Sequence, residues 1–94
     1  MNKEEALAVV RQKLASYRLE EYHELLRLLS NCEERESVGP SGARYQIQIE
    51  ALWDDQPNGD LRVLGLIDDG SLRKLVCPLS DDFIMRPDGS FVGE

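Results

Sequence analysis

The 94-residue chain is poor in the residues that most often carry chemistry, with one histidine, two cysteines, one tryptophan and two methionines. A lone His23 with two distant cysteines cannot supply the usual four ligands of a zinc site without carboxylates from elsewhere. Cys32 and Cys77 have no CxxC spacing, which reads as two reduced thiols in a cytosolic protein, a single bridge between them being the alternative. Neither GxGxxG nor GxxxxGK[ST] occurs, and "DGSFVG" follows a turn instead of opening a helix, so Gly59, Gly89 and Gly93 do not make a phosphate loop. Long apolar runs are also missing. "VLGLI", Val63 to Ile67, is far short of the roughly 18 apolar residues that span a membrane. The start, "MNKEEALAVV", puts two glutamates where a signal peptide needs a basic segment, so a cytoplasmic location is expected. Basic residues number 11 against 18 acidic ones, and the net charge of −7 argues against nucleic acid or an anionic membrane as partner.

What is present describes a folded domain. Hydrophobic residues at 41% and charged residues at 31% are normal for a soluble globular protein. A chain this short buries only a little more than roughly 60% of its unfolded surface, which gives a single domain over residues 1–94 and no deep active site. Residues 1–37 contain Glu but no Asp, whereas residues 38–94 contain eight Asp and two Glu. Glu tolerates helix interiors while Asp competes for backbone hydrogen bonds and favours turns. The division expected is therefore a helical part over 1–37, a linker over 38–43 marked by "SVGPSG", Ser37 to Gly42, and an antiparallel sheet over 44–94.

Asn2 is placed to cap the first helix, with Glu5 completing an approximate capping box. Leu7, Val10, Leu14 and Tyr17 recur at helical spacing; a second stripe of Leu19, Tyr22, Leu25 or Leu26, and Leu29 suggests a second helix after a break near 16–18. "RYQIQIEALW" alternates strictly, with Tyr45, Ile47, Ile49, Ala51 and Trp53 on one face. "LRVLGLI" and "LRKLVC" are expected as the second and third strands. A three-residue "PNG" loop would set Trp53 opposite Val63 and Ile49 opposite Ile67, while a four-residue loop would swap Leu64 and Leu66 onto that face. An Asp69-Gly70 turn would set Ile67 opposite Leu72 and Val63 opposite Val76. "RPDGS" would set Met85 opposite Phe91 and Ile84 opposite Val92 in a closing hairpin.

The functional motifs weigh toward turns. "DDQPNGD" resembles a calcium loop, but an EF-hand alignment from Asp54 puts Pro57 in the fourth position and Gly65 where the bidentate Glu belongs. The pairs Asp54/Asp55 and Asp68/Asp69 lie at opposite ends of the shared second strand, too far apart for one ion. His23 neighbours Leu19, Glu20, Leu26 and Arg27 at helical spacing, which favours a partly exposed residue beside a carboxylate over a catalytic base. No catalytic residue, metal ligand or cofactor is assigned. The informative surface is the second face of the sheet, carrying Leu52, Leu64, Leu66 and Leu75, which either the "FIMRPDGSFV" hairpin or another protein must cover. With Trp53, Asp54 and Asp55 at its margin, these residues form the candidate partner-binding set.

The segments "WDD" at Trp53, "IDDG" at Ile67 and "SDDFIMRPDGSFVGE" to the end resemble a group of small bacterial proteins without an assigned role, over roughly residues 44–94. That resemblance implies a small bacterial α+β domain and brings no catalytic residues. The expected fold is α+β, one or two N-terminal helices on a three-stranded antiparallel meander plus a short C-terminal hairpin. The expected function is protein interaction, either self-association as a homodimer or an acidic inhibitor or immunity-type protein against a basic enzyme. The competing class is a small enzyme or a divalent-metal or ligand binder using the Asp pairs and His23.

Overall fold

Asn2 opens the first helix as its spacing suggests, its side-chain oxygen accepting from the Glu5 N–H at 3.0 Å. The structure, a computed structural model, describes residues 2–70 and 79–93. Helix α1, Lys3–Arg18, buries Ala6, Val9, Val10, Leu14 and Tyr17 along one stripe. The break falls slightly later than the sequence suggests. A turn at 19–21 leads into α2, Tyr22–Leu25, and a 3-10 turn, Leu26–Leu29. The tighter three-residue period puts Leu25 and Leu28 on the buried side. Leu19, expected in that stripe, sits at the α1 C-cap and is 88% exposed.

The helical part ends sooner than residue 37. Strand β1, Glu33–Val38, pairs antiparallel with β2, Arg44–Trp53. The stretch expected as a linker over 38–43 is therefore the last residue of β1 followed by a hairpin turn over 39–43, closed by Gly39 N–H donating to the Ala43 carbonyl at 2.9 Å. "EERESV" has no apolar alternation to announce a strand. Its charges suit an edge position, where they discourage pairing with other chains. Strand β3, Leu61–Asp68, pairs with β2, and β4, Leu79–Met85, pairs with β3, giving one four-stranded antiparallel sheet in the order β1-β2-β3-β4. The fold is α+β.

Two expected pairings change. Trp53 opposes Leu61 and Ala51 opposes Val63, a shift of two residues from the three-residue loop. The loop closes instead between Asp54 N–H and the Asp60 carbonyl at 2.9 Å, and Asn58, not Gly59, takes the left-handed conformation with φ of 68°. Because side chains alternate with period two, a shift of two keeps every residue on its expected face. The second change is topological. Ile67 and Val63 face Leu79 and Phe83 of β4, so both edges of β3 are already occupied. The expected strand "LRKLVC" lies outside the described residues. The C-terminal hairpin forms in the expected register, with Met85 opposite Phe91 and Val92 N–H donating to the Ile84 carbonyl at 2.9 Å.

Among the described residues the helices cover one face only. α1 packs on β3 and β4, and the 3-10 turn packs on β2. Between them lies the core: Tyr45, Ile47 and Ile49 of β2, Leu61, Val63 and Ile67 of β3, and Phe83 and Met85 of β4. Glu5 ties the start of α1 to the β1–β2 turn, accepting from Ser41 N–H at 2.9 Å, the Ser41 hydroxyl at 2.8 Å and the Tyr45 hydroxyl at 2.7 Å. Its carboxylate is thus drawn away from the capping box.

Candidate functional site: the uncovered face of the sheet

Pairing and burial together map the face opposite the helices. Core side chains are the odd-numbered residues of β2, β3 and β4, so the even-numbered ones point the other way. Across neighbouring strands, Glu34 of β1 lies beside Gln48, which lies beside Leu66, which lies beside Ser80. In the next rows Glu50, Leu64 and Asp82 are adjacent, then Leu52, Arg62 and Ile84. Among the described residues no helix lies over this face. The C-terminal hairpin does not cover it either. It extends the sheet beyond β4 and turns Phe91 to the helix side, where it meets Phe83 edge-on at 5.8 Å and carries the Arg18 guanidinium at 4.3 Å from its ring centre.

Two regions of different chemistry share the face. Leu64 and Leu66 form a half-buried ridge along β3, with Leu52, 44% exposed, and Ile84 at its lower end. Between those two, Arg62 donates to Asp54 at 2.7 Å and to Asp82, which satisfies its guanidinium and raises its pKa further, Asp54 contributing most. Exposed ion pairs of this kind are worth only about 0–1 kcal/mol, so their effect here is to neutralise Arg62 and fix its place. Toward β1 the surface becomes acidic. Glu34, Glu50 and Asp68 border an open depression of about 470 Å³ with Gln46, Gln48 and Leu66. None of the three carboxylates has an ion-pair partner among the described residues.

The candidate set from the sequence is divided by this geometry. Leu52, Leu64 and Leu66 share the uncovered face, and Asp54 reaches it through Arg62. Trp53 pairs with Leu61 and packs against the core on the helix side. Asp55 is exposed in the loop beyond β2, and Leu75 lies outside the described residues. Ile84, Glu34, Glu50 and Asp68 were not in the set. Ile84 was legible from the alternation of "DFIM"; Glu34 was not, because its strand exists only through pairing with β2.

The remaining chemistry-bearing groups are dispersed. Asp81 pairs with Arg11 at 2.9 Å, and Asp68 accepts from Gly70 N–H at 2.6 Å. His23 is exposed, its Nδ1 3.4 Å from a Glu21 oxygen. Cys32 is an exposed free thiol at the entry to β1, and Cys77 lies outside the described residues. Among the described residues no three His, Cys, Asp or Glu side chains converge as a metal site. Among those residues, too, no helix is long and apolar enough to cross a membrane. Comparison with protein-family models, with curated proteins and with solved structures gives no match.

A second polar cluster is structural and lies on the helix side of β1. Arg27 donates to Glu20 at 2.6 Å and to Glu33 at 2.8 Å, Arg35 donates to Glu33 at 3.0 Å, and the Tyr17 hydroxyl donates to Glu33 at 2.9 Å. Arg27 chiefly holds the Glu33 carboxyl below its usual range, while burial and then the Glu33 bond push the Tyr17 phenol up to about 12. At the other end of the sheet the Tyr45 and Ser41 bonds lower Glu5, and Glu5 in turn raises Tyr45 to about 12. The lowered carboxyls contribute stability above their unfolded value of about 4.3 and lose it as pH falls below that. The raised phenols contribute fully below about 10 and lose it as pH climbs toward about 12. Thermal melts should therefore show a plateau between about pH 5 and 9.5 with a fall on both sides. Tyr17→Phe should make the alkaline fall shallower, and an unchanged alkaline limb would remove Tyr17 from this role.

Proposed function

We propose that the chain is a protein-interaction domain that docks a basic protein through the uncovered sheet face. One observation carries the reading: an apolar ridge, Leu64 and Leu66, stands beside three carboxylates that have no cationic partner among the described residues. Fully solvated surface acids need no such ridge, and a buried core ridge would not be bordered by acids. Desolvated leucines would supply affinity, while the acidic border would steer a cationic partner and raise its association rate. An acidic inhibitor or immunity-type protein directed at a basic enzyme is the specific form that fits.

A second copy of the chain fits less well. Face-to-face association about a two-fold axis through the acidic depression would bring Glu34, Glu50 and Asp68 of the two copies together. Among the described residues, the basic ones on that face, Arg44 and Arg62, are already held by Glu36 and by Asp54 and Asp82. Like charges brought together at an interface cost several kcal/mol.

The test compares the immobilised protein with Leu64→Glu and Leu66→Glu variants of unchanged circular dichroism in capture from host extract, with light scattering of the free protein alongside. The expected result is a monomer that retains a basic protein, which both variants lose. Retention unaffected by either substitution would overturn the assignment of the face.

A further inference from the structure

The layout of the face also restricts the shape of what it binds. We infer that the docking element of the partner is a single basic amphipathic α-helix lying along β3, an inference that rests on the interaction reading above. At Leu64 and Leu66 the ridge is one strand wide, and it broadens only at its lower end, where Leu52 and Ile84 flank Arg62. Leu64 is flanked by Glu50 and Asp82, and Leu66 by Gln48 and Ser80, so the apolar strip is bordered by polar side chains on both neighbouring strands. A broad, flat protein surface would bury those margins without benefit, whereas a helix presents an apolar stripe of matching narrowness.

The spacing agrees. Two residues along a strand advance about 6.6 Å, close to the roughly 6 Å that separates helical residues four apart. Apolar residues at i and i+4 of a helix can therefore sit over Leu64 and Leu66 together. The charges are unequal on the two sides. Toward β4, Asp82 is paired with Arg62; toward β1, Glu50 and Glu34 have no ion-pair partner among the described residues, nor has Asp68 at the end of β3. The helix should therefore carry its Lys or Arg residues on one flank of the apolar stripe, the flank facing β1 and β2. An extended peptide is the alternative occupant, but the ridge offers it no strand edge, because both edges of β3 are hydrogen-bonded and the open edge of β1 lies two strands away.

Two synthetic peptides of about 14 residues, roughly four helical turns, separate these possibilities. Both contain the same numbers of Leu and Lys, one with leucines at helical spacing and the other in strict alternation. Each is titrated into the full-length protein at low salt while backbone amide shifts and peptide helicity are followed. The helically spaced peptide should gain helicity, shift residues of β2 and β3, and bind at least about tenfold more tightly than its isomer. Glu50→Lys and Leu66→Glu, each with wild-type circular dichroism, should weaken it by a similar factor. Equal binding of the two isomers at the same face would overturn the helix and leave the interaction reading standing. Shifts absent from β2 and β3 with both peptides would overturn the helix and the face together. Concentration-dependent dimerisation through Leu66 would do the same in favour of a second copy.

Discussion

Replacing Gly65 with valine should destabilise the protein by about 2–3 kcal/mol, lowering its melting temperature by about 10–20 °C. Gly65 lies in the middle of β3, opposite Ile49, and its φ is not in the left-handed region, so no turn geometry demands glycine there. The demand comes from α1. A Cβ at this position would lie 2.7 Å from Val10 Cγ2 and 3.3 Å from Leu14 Cγ. Val10 is fully buried and cannot swing aside without opening the core. Valine has the better strand propensity, but that scale spans only about 1 kcal/mol, less than the cost of overpacking, so the clash wins. Val10→Ala should partly relieve Gly65→Val. In a double-mutant cycle by urea denaturation, the pair should be less destabilised than the sum of the single variants by about 1 kcal/mol or more. Simple additivity would mean that α1 does not press on the sheet at this point.

Phe83→Ala should cost more, about 3–5 kcal/mol, out of the roughly 5–15 kcal/mol that a domain of this size possesses. Phe83 is buried, faces Val63 across the β3–β4 ladder, and carries both the Phe91 edge contact and the Arg18 guanidinium, 5.4 Å from its ring centre. Ile84, the next residue, points to the uncovered face and is only half-buried. Ile84→Ala should therefore cost about 1 kcal/mol. The contrast between neighbours tests the placement of β4 directly, because alternation assigns one to the core and the other to the opposite face of the sheet. Equal losses would contradict that placement. Such a result would also remove Ile84 from the proposed interface, since its side chain would then belong to the fold.

The two substitutions also show where local pattern stops being informative. The alternation of Tyr45 to Trp53 and the helical spacing of Val10, Leu14 and Tyr17 were readable, because each records a single element burying one side. The "RPDGS" hairpin was readable too, since Gly89, with φ of 90°, and the Arg86–Ser90 closure depend on residues within the turn. Asp54 and Asp82 illustrate the opposite case. They are distant in the chain, yet both end on Arg62, a meeting that follows from the order of strands and from no motif. β1 is similar, since the five polar or charged residues and closing valine of "EERESV" become a strand only when β2 offers them hydrogen bonds.

By itself, then, the sequence determined the secondary-structure period of its apolar segments, the side of β2 and β3 that faces inward, and the location of several chain reversals. Those properties depend on neighbours a few residues away. Only the tertiary structure decided the shift of the first hairpin, the choice of Leu79–Met85 as the partner of β3, and the joining of Leu64, Leu66, Glu34, Glu50 and Asp68 on one surface. Strand pairing is a long-range selection among segments of similar character. It is made by how well α1 and the 3-10 turn close over one side of the completed sheet; among the described residues no helix closes over the other.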